Sequence, residues 1–595
     1  MSEAPRPTIS PALIASMIES TPERVRRRLD RAPDIASEWT WQWAEASWSI
    51  EAGDETVTLP HGQIIEAEQV ACTCLLSPRC FHVLACLTRL EIALLEAPIL
   101  ADDASEPAAG QTSEDHASDV DLVELSENQR RAALELTASV SQLLRVGIAG
   151  SGVVVQSGLL RAIHRCRSEG LHRLAGLGLR LIAGTREIRS RAPEADPNQL
   201  AEDLADVLET SHHVLRDRSV PSFWVGTARR KQESVRPRRL LGLFAEPIIT
   251  RSGYSGAAAY FLGEDGRIYT ASDVRPGDAQ HARDAYLGGI EIGPLVQSAR
   301  QLARGQYLGT DLTASTDGRL GRGKGPRIVE QGTSSWTAEA IAARFHRPLA
   351  DQWDSIYAQA SLPEEARSAV WDFLFFEGTV LGAVGPELLF QPTADPLPLR
   401  LAIENESEAL CFRENLRMLS HAPGLPLQII GRAHPLEPRV IAPLGIAPLS
   451  AAPDLASGSG PPQLALPDSW AGRVCLGFDE LQRHHLLNAQ SSPITLPLAL
   501  FERSLENPLA PLRRRWIATL LAGSSSRLAG RSKTLPLETA TLSRSGFTTG
   551  ASLLDLLSSN PSHQGSTPSD AFLATAVYLR ACAFEQAKFQ ATLEG

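Results

Sequence analysis

Apolar positions recur along this chain with two rhythms, and each predicts a different kind of element. Between residues 40 and 70 the rhythm is two. SWSIEAG, ETVTLPHG and QIIEAEQV alternate apolar and polar residues and are separated by Gly, Asp and Pro, which predicts short strands joined by turns. The rhythm turns helical at FHVLACLTRLEIALLEA (81–97), where Leu84, Leu87, Leu90 and Leu94 fall near helical spacing. Residues 11–31 also predict helix, with Thr21-Pro22-Glu23 as a start signal. From 127 to 218 three long stretches carry the helical rhythm between Gly or Pro breaks, which predicts a bundle of about four helices.

The rhythm changes again at about 219. LLGLFAEPIITRSGY, GAAAYFLGEDGRIYTAS and GPRIVEQG predict strands, and Asp265-Gly266 has the chemistry of a tight hairpin turn. WTAEAIAARFHRPLADQWDSIYAQ predicts a helical insert, and FLFFEGTVLGAV, ELLFQP, LRLAIE, LQIIGRA and RVIAPLG predict further strands. A Pro/Gly/Ser connection follows at 448–467, then helices at about 508–523 and 569–593. The expected fold class is α+β and multidomain: a small N-terminal domain (1–100), a linker (101–126), a helical bundle (127–218), a β-rich domain (219–330), a helical insert (331–365), a second β-rich region (366–525), and a Ser/Arg-rich stretch with a closing helix (526–595). The β-rich half is expected to form one or two small barrels or sandwiches.

Charge sharpens one of these borders. Residues 101–127 hold nine acids and no Lys or Arg, while the whole chain carries a net charge of -12, so the remainder sits near neutrality. With few large apolar side chains, 101–126 reads as an acidic flexible linker. A near-neutral remainder weighs against a large duplex footprint, because strong duplex binders show a marked basic surface. No apolar run reaches the roughly 18 residues that span a bilayer. The opening MSEAPRPTISPALIASMIES lacks a basic start followed by an apolar block, so a cytoplasmic location without membrane association is expected.

The chemistry concentrates at one place. Of eight cysteines, Cys72, Cys74, Cys80 and Cys86 fall close together, and Cys166, Cys411, Cys475 and Cys582 are scattered. The string Cys72-Thr-Cys74-Leu-Leu-Ser-Pro-Arg-Cys80-Phe-His82 supplies three thiols and an imidazole, a closed tetrahedral set for zinc. Residues two apart on a strand point the same way, so Cys72 and Cys74 reach one ion. Ser77-Pro78 turns the chain back, and Cys80 and His82 stand at the mouth of the next helix, whose dipole favours a thiolate. A redox C-x-C pair is the competing reading of the first two cysteines, and Cys86, four residues after His82, fits a packing role or a substitute ligand. Four protein ligands leave no open position, which points to structural rather than catalytic zinc.

This pattern resembles the SWIM zinc finger: C-x-C, a variable gap, then C-x-H-x-x-A, with Ala85 filling the last place. The resemblance covers about residues 45–95, and the longer layout is similar to that of bacterial SWIM proteins. It implies a strand–strand–helix module that binds DNA or proteins as an accessory domain. No helicase or transposase motif is present, so those activities do not carry over.

Other candidates are weaker. Gly318 to Gly325 nearly spells a phosphate-binding loop, but Gly325 stands where Ser or Thr is needed and Pro326 follows. Arg319, Arg322 and Lys324 of that loop, with Arg24, Arg26, Arg27 and Arg28 beside the finger, are the natural phosphate contacts if nucleic acid is the partner. His164, Cys166 and His172 lack a fourth ligand in register. No G-x-S-x-G, H-E-x-x-H or dinucleotide fingerprint occurs, which weighs against an enzyme. The leading expectation is a zinc-binding interaction protein whose finger recognises a protein partner in preference to nucleic acid. The alternatives are an enzyme with its site within 219–525, recruited by the finger, and a structural subunit of a larger assembly.

Overall fold

The alternation at residues 40–60 becomes an antiparallel sheet in the computed structural model. Residues 6–92 are described, except 11–12, 15–16, 18–20, 22–23, 26–27, 30–34 and 45–46. So are residues 122–592, except 194, 228–231, 236–237, 251–252, 316, 322–326, 364–365, 369, 394, 438, 450–459, 491, 497–506, 525–533 and 559–566. The chain is α+β and forms two compact units, of which the first comprises Met1–Ala101, Pro107–Arg229 and Glu506–Ala581 and the second Asp102–Glu106, Arg230–Leu505 and Cys582–Gly595.

In the first unit, strands β1 (Thr40–Ala44), β2 (Ser47–Ala52), β3 (Glu55–Pro60) and β4 (Ala71–Cys72) pair in that order. The period-two pattern puts Trp48, Ile50, Ala52, Val57 and Leu59 on one buried face. Helix α1 (Phe81–Leu87) buries Val83, Leu84, Ala85, Cys86 and Leu87. Each fully buried aliphatic side chain there contributes about 1.5–3 kcal/mol.

Helix α1 is shorter than its sequence rhythm. It ends at Thr88, and Glu91–Ile92 instead pairs in parallel with Thr8–Ile9, which also pairs with Gln63–Ile64. The backbone of 91–92 is committed to a sheet, and tertiary pairing overrides local periodicity. Residues 93–97 of the expected helix lie outside the described residues. The expected strand QIIEAEQV likewise shortens to Gln63–Ile64 and continues as a 3-10 turn, Ala67–Gln69.

The bundle comprises α2 (Glu127–Gly150), α3 (Val153–Ser168), α4 (His172–Ser190) and α5 (Pro197–Arg216). Each helix packs on the next, and α2 packs on α5. Ser126 opens α2 with a capping box to Gln129, and Asp196 with Pro197 opens α5. Within the stretch expected as a linker, Leu122–Glu124 is a strand paired with Ser219–Pro221; residues 101–121 lie outside the described residues. The N-terminal sheet-and-helix module and the bundle meet where the Arg186 guanidinium donates to the Leu90 carbonyl at 3.2 Å.

Helix Ala510–Ala522 returns to pack on α2 and α5. Its end depends on glycine. Gly147 (φ 74°) breaks α2, Gly523 (φ 79°) ends the returning helix, and the two backbones touch.

In the second unit, β5 (Arg239–Ile249), β6 (Tyr254–Gly263), β7 (Ile268–Pro276), β8 (Gly305–Thr310) and β9 (Arg327–Thr333) form a sheet ordered β7-β6-β5-β8-β9. The Asp265-Gly266 turn joins β6 to β7, with Gly266 at φ 77°. A second sheet contains β10 (Phe373–Val384), β11 (Glu387–Pro392), β12 (Leu399–Leu401), β13 (Pro426–Ala433), β14 (Val440–Pro448) and β15 (Val474–Cys475), ordered β12-β11-β10-β13-β14-β15. A parallel pairing of β12 with β14, Arg400 opposite Val440 and Leu401 opposite Ile441, closes five of these strands into a small barrel. Among the described residues Leu486–Leu487 is the last strand, and the described elements from Ala510 onward are helices.

Buried polar groups tie the second unit together. Arg304 and Asp479, both nearly inaccessible, pair at 2.6 Å, and the Tyr286 hydroxyl donates to Asp479 at 2.9 Å. Arg473 is fully buried and donates to the carbonyls of Gly242, Leu243, Ala303 and Ser334, and burial lowers its guanidinium to about 10.

Candidate metal centre

The site is assembled by a strand, a turn and a helix start. Cys72 lies on β4 opposite Val57, and Ala71 opposite Thr58. The ladder frays past Cys72 but remains tied: Thr73 N–H donates to the Thr56 carbonyl at 3.1 Å, and Thr56 N–H to Thr73 Oγ1 at 2.9 Å. The Thr73 hydroxyl in turn donates to the Glu55 carboxylate.

The chain then reverses at Ser77-Pro78 as expected. Ser77 N–H donates to the Cys74 carbonyl at 3.2 Å, and Ser77 Oγ accepts from Cys72 N–H at 2.9 Å. Cys80 arrives as the N-cap of α1, where its sulfur accepts from Val83 N–H at 3.3 Å. That donor is one of the unpaired amides of a helix start, and it favours negative charge on sulfur. His82 follows in the first turn.

The sulfurs of Cys72, Cys74 and Cys80 and a ring nitrogen of His82 all lie within 4.8 Å of one another. Cys72 Sγ and His82 Nδ1 are 3.8 Å apart. In a tetrahedral zinc site, bond lengths near 2.3 Å to sulfur and 2.0–2.1 Å to nitrogen put ligand atoms about 3.5–3.8 Å from each other. The donor set fits such an ion in number, chemistry and scale. Burial raises the Cys72 thiol and pushes the Cys80 thiol up to about 12, so both hold protons until a cation displaces them. Burial also lowers His82, against a raising influence from Glu55, which keeps the imidazole neutral and able to donate a lone pair. Cys86 is fully buried in the core under α1, its thiol raised by burial, and it stands outside the clustered group.

Aromatic rings wall the site. Trp39 stands edge-on to Phe81 at 6.3 Å and 6.1 Å from the His82 ring, and the Arg28 guanidinium lies 4.1 Å over Phe81. The five residues between Cys74 and Cys80 face outward: Leu75 is fully exposed, Leu76 half exposed, and Arg79 exposed.

The other candidate residues separate. Arg28 joins the wall of the cluster through Phe81, and Arg24 is exposed. Arg26, Arg27, Arg322 and Lys324 lie outside the described residues. Arg319 belongs to the second unit, where its carbonyl accepts from Ser315 N–H at 2.9 Å. Cys166 is buried and bonds the Ala132 carbonyl, whereas His164 is exposed. An open hollow of about 600 Å³ on the second unit is lined by Gly378, Thr379, Gln391, Pro392, Thr393, Asp395 and Pro396. Its charged residue, Asp395, is paired with Arg439 at 3.0 Å. Sequence reasoning missed Glu55, Thr73 and Trp39 around the cluster; the register of β3 against β4 brings the first two there, and neither is a metal-ligand residue type in a motif.

No family model, no curated protein and no solved structure matches this chain. Among the described residues no helix is long and apolar enough to cross a membrane.

Proposed function

We propose that Cys72, Cys74, Cys80 and His82 bind one structural zinc ion in a SWIM-like finger, and that this finger is a protein-interaction module. The observation that carries the reading is the convergence of three thiols and an imidazole nitrogen within 4.8 Å, with Cys72 Sγ and His82 Nδ1 at 3.8 Å, close to the edge of a zinc tetrahedron. Strands before the cluster and a helix after it follow the order of the finger it resembles. Zinc supplies a cross-link there, holding a small fold whose own core is modest.

A protein partner is favoured over nucleic acid by three features. The chain outside residues 101–127 is near neutral, and the loop held between Cys74 and Cys80 presents Leu75 and Leu76 to solvent with a single base, Arg79. Arg28, a candidate phosphate contact, is engaged with Phe81.

The test is elemental mass spectrometry of the full chain purified under reducing conditions without chelator. One zinc per chain, lost in a Cys74→Ser, Cys80→Ser variant, supports the site; a wild type without zinc sinks it. Salt titration of any nucleic-acid binding then checks the partner class, since a steep slope counts phosphate contacts and would reverse the preference for protein.

A further inference from the structure

We propose that β1 is a pairing edge, and that it joins antiparallel to β1 of a second copy of this chain, so that two four-stranded sheets run on as one. The proposal goes beyond the zinc reading and does not depend on it.

The strand Thr40–Ala44, with sequence Thr-Trp-Gln-Trp-Ala, ends the sheet order: β2 lies on one side of it and no described strand on the other. Its register sets Ala44 opposite Ser47, Trp43 opposite Trp48, Gln42 opposite Ser49 and Trp41 opposite Ile50. Two residues join the strands, which makes Ala44–Ser47 a hydrogen-bonded pair, and such pairs recur at every second residue. Thr40 and Gln42 therefore direct their backbone groups to β2, and the N–H and C=O of Trp41 and Trp43 turn outward. Thr40, Gln42 and Trp43 are exposed, so solvent reaches this edge.

Natural sheets protect an open edge with charge, proline or a bulge. The edge strand β9 of the second unit shows such devices: Arg327 and Glu330 lie on it, its ladder with β8 shifts register between Gln306 and Tyr307, and Gly332 has φ 130°. β1 has none of them. It carries no charged residue and no proline, and its register with β2 is regular. Its indoles are also held in place. Trp41 Nε1 donates to the Ala36 carbonyl at 2.8 Å, with the Arg6 guanidinium 4.6 Å over the ring. Trp43 stands edge-on to Trp48 at 5.7 Å and to His61 at 5.4 Å. An edge fixed in advance loses little entropy when it pairs.

The pattern of the edge selects its occupant. Trp41-Gln42-Trp43 reads the same in both directions, so a two-fold axis at Gln42 sets Trp41 against Trp43 of the second copy and Gln42 against Gln42. The Trp41–Trp43 pairs are then the hydrogen-bonded ones, formed by the residues whose backbone groups face outward. On one face aromatic meets aromatic, a favourable cross-strand pair. On the other, two amide side chains meet across Cα atoms about 4.5 Å apart, within reach of each other. Charge fits as well, since neutral meets neutral along the strand and no like charges oppose. A two-fold contact of this kind closes at two copies.

The experiment uses the full chain. One strand pair is a small interface, so a weak dimer is expected, and sedimentation velocity from about 1 to 100 µM brackets it. It is run on the wild type, on Gln42→Lys, on Gln42→Glu, and on an equimolar mixture of the two variants; Gln42 is exposed and tolerates either side chain. The wild type is expected to dimerise. Each variant alone is expected to raise the dissociation constant by about 100-fold, because like charges then stand directly opposite, and the mixture to recover the dimer. Hydrogen exchange on the wild type, which needs no variant, is expected to show residues 40–44 gaining protection as concentration rises. A wild type that stays monomeric, a Gln42→Lys variant that dimerises as the wild type does, a mixture no better than its components, or a dimer with unchanged exchange at 40–44 would each overturn the pairing. Zinc content is read separately, so failure of this pairing and failure of the metal reading are distinct results.

Discussion

Cys72 and His82 are ten residues apart in the chain, yet Cys72 Sγ and His82 Nδ1 stand 3.8 Å from each other across the turn at Ser77-Pro78. One is on a strand end and the other in a helix start, so the contact couples the sheet to α1. The consequences of that coupling, and of two buried contacts elsewhere, are open to measurement.

Removing the ion should loosen α1 selectively. Structural zinc in small fingers contributes apparent binding energies of about 10–16 kcal/mol at neutral pH, far more than one helix of this length gains from its own core. Hydrogen exchange followed by mass spectrometry, before and after chelation, should show protection lost across residues 71–90 and retained in β10 and β13 of the second unit. Full protection of α1 after chelation would mean that its buried face alone holds it.

Zinc affinity should fall as pH falls. Burial raises the Cys72 and Cys80 thiols, so binding must displace their protons, and acid competes directly with the ion. Three thiols give a limiting dependence of about a thousandfold per pH unit below their pKa values. His82, lowered by burial, is neutral at pH 7 and adds to the loss only in acid. Chelator competition at pH 6, 7 and 8 measures the slope; a flat profile would show the thiols already ionised without metal.

Gly147→Ala and Gly523→Ala should each destabilise the first unit. A Cβ on Gly147 would sit 2.3 Å from Gly523 N, and one on Gly523 would sit 2.5 Å from Gly147 N. Both residues also have positive φ. Overpacking against backbone plus the conformational strain predicts a cost of about 2–4 kcal/mol, read as a lower thermal midpoint.

Asp479→Ala should destabilise the second unit by about 3–5 kcal/mol, because it leaves Arg304 charged and unpaired in the interior. Replacing both, Asp479→Leu with Arg304→Met, should recover most of the loss. A double variant as unstable as the single one would mean that the other Arg304 bonds, to Trp470, Tyr286 and Arg300, matter more than the ion pair.

What the sequence made legible was local. Cys72, Cys74, Cys80 and His82 lie within eleven residues, and strand alternation plus a helix start suffice to bring them together. The bundle helices were legible from helical spacing between Gly or Pro breaks, and the structure adds their caps, Ser126 and Asp196. The end of α1 was not, because Ile92 answers to Ile9, far away in sequence. Barrel closure was not legible either: Leu401 meets Ile441 in parallel, and no turn signal announces such a pairing. The pairing of Val57 with Cys72 was not legible either, because it depends on the register of two strands.

The first unit is interrupted in sequence, since Glu506–Ala581 completes a body to which Met1–Ala101 and Pro107–Arg229 already belong. On a ribosome adding about 5–20 residues per second, roughly 15–60 s pass between the emergence of α5 and that of the helix that seats Gly523 against Gly147. Throughout that interval the nascent bundle shows solvent the apolar surface on α2 that helix Ala510–Ala522 later covers. The order of synthesis thus makes α2 a place where a chaperone has something to hold.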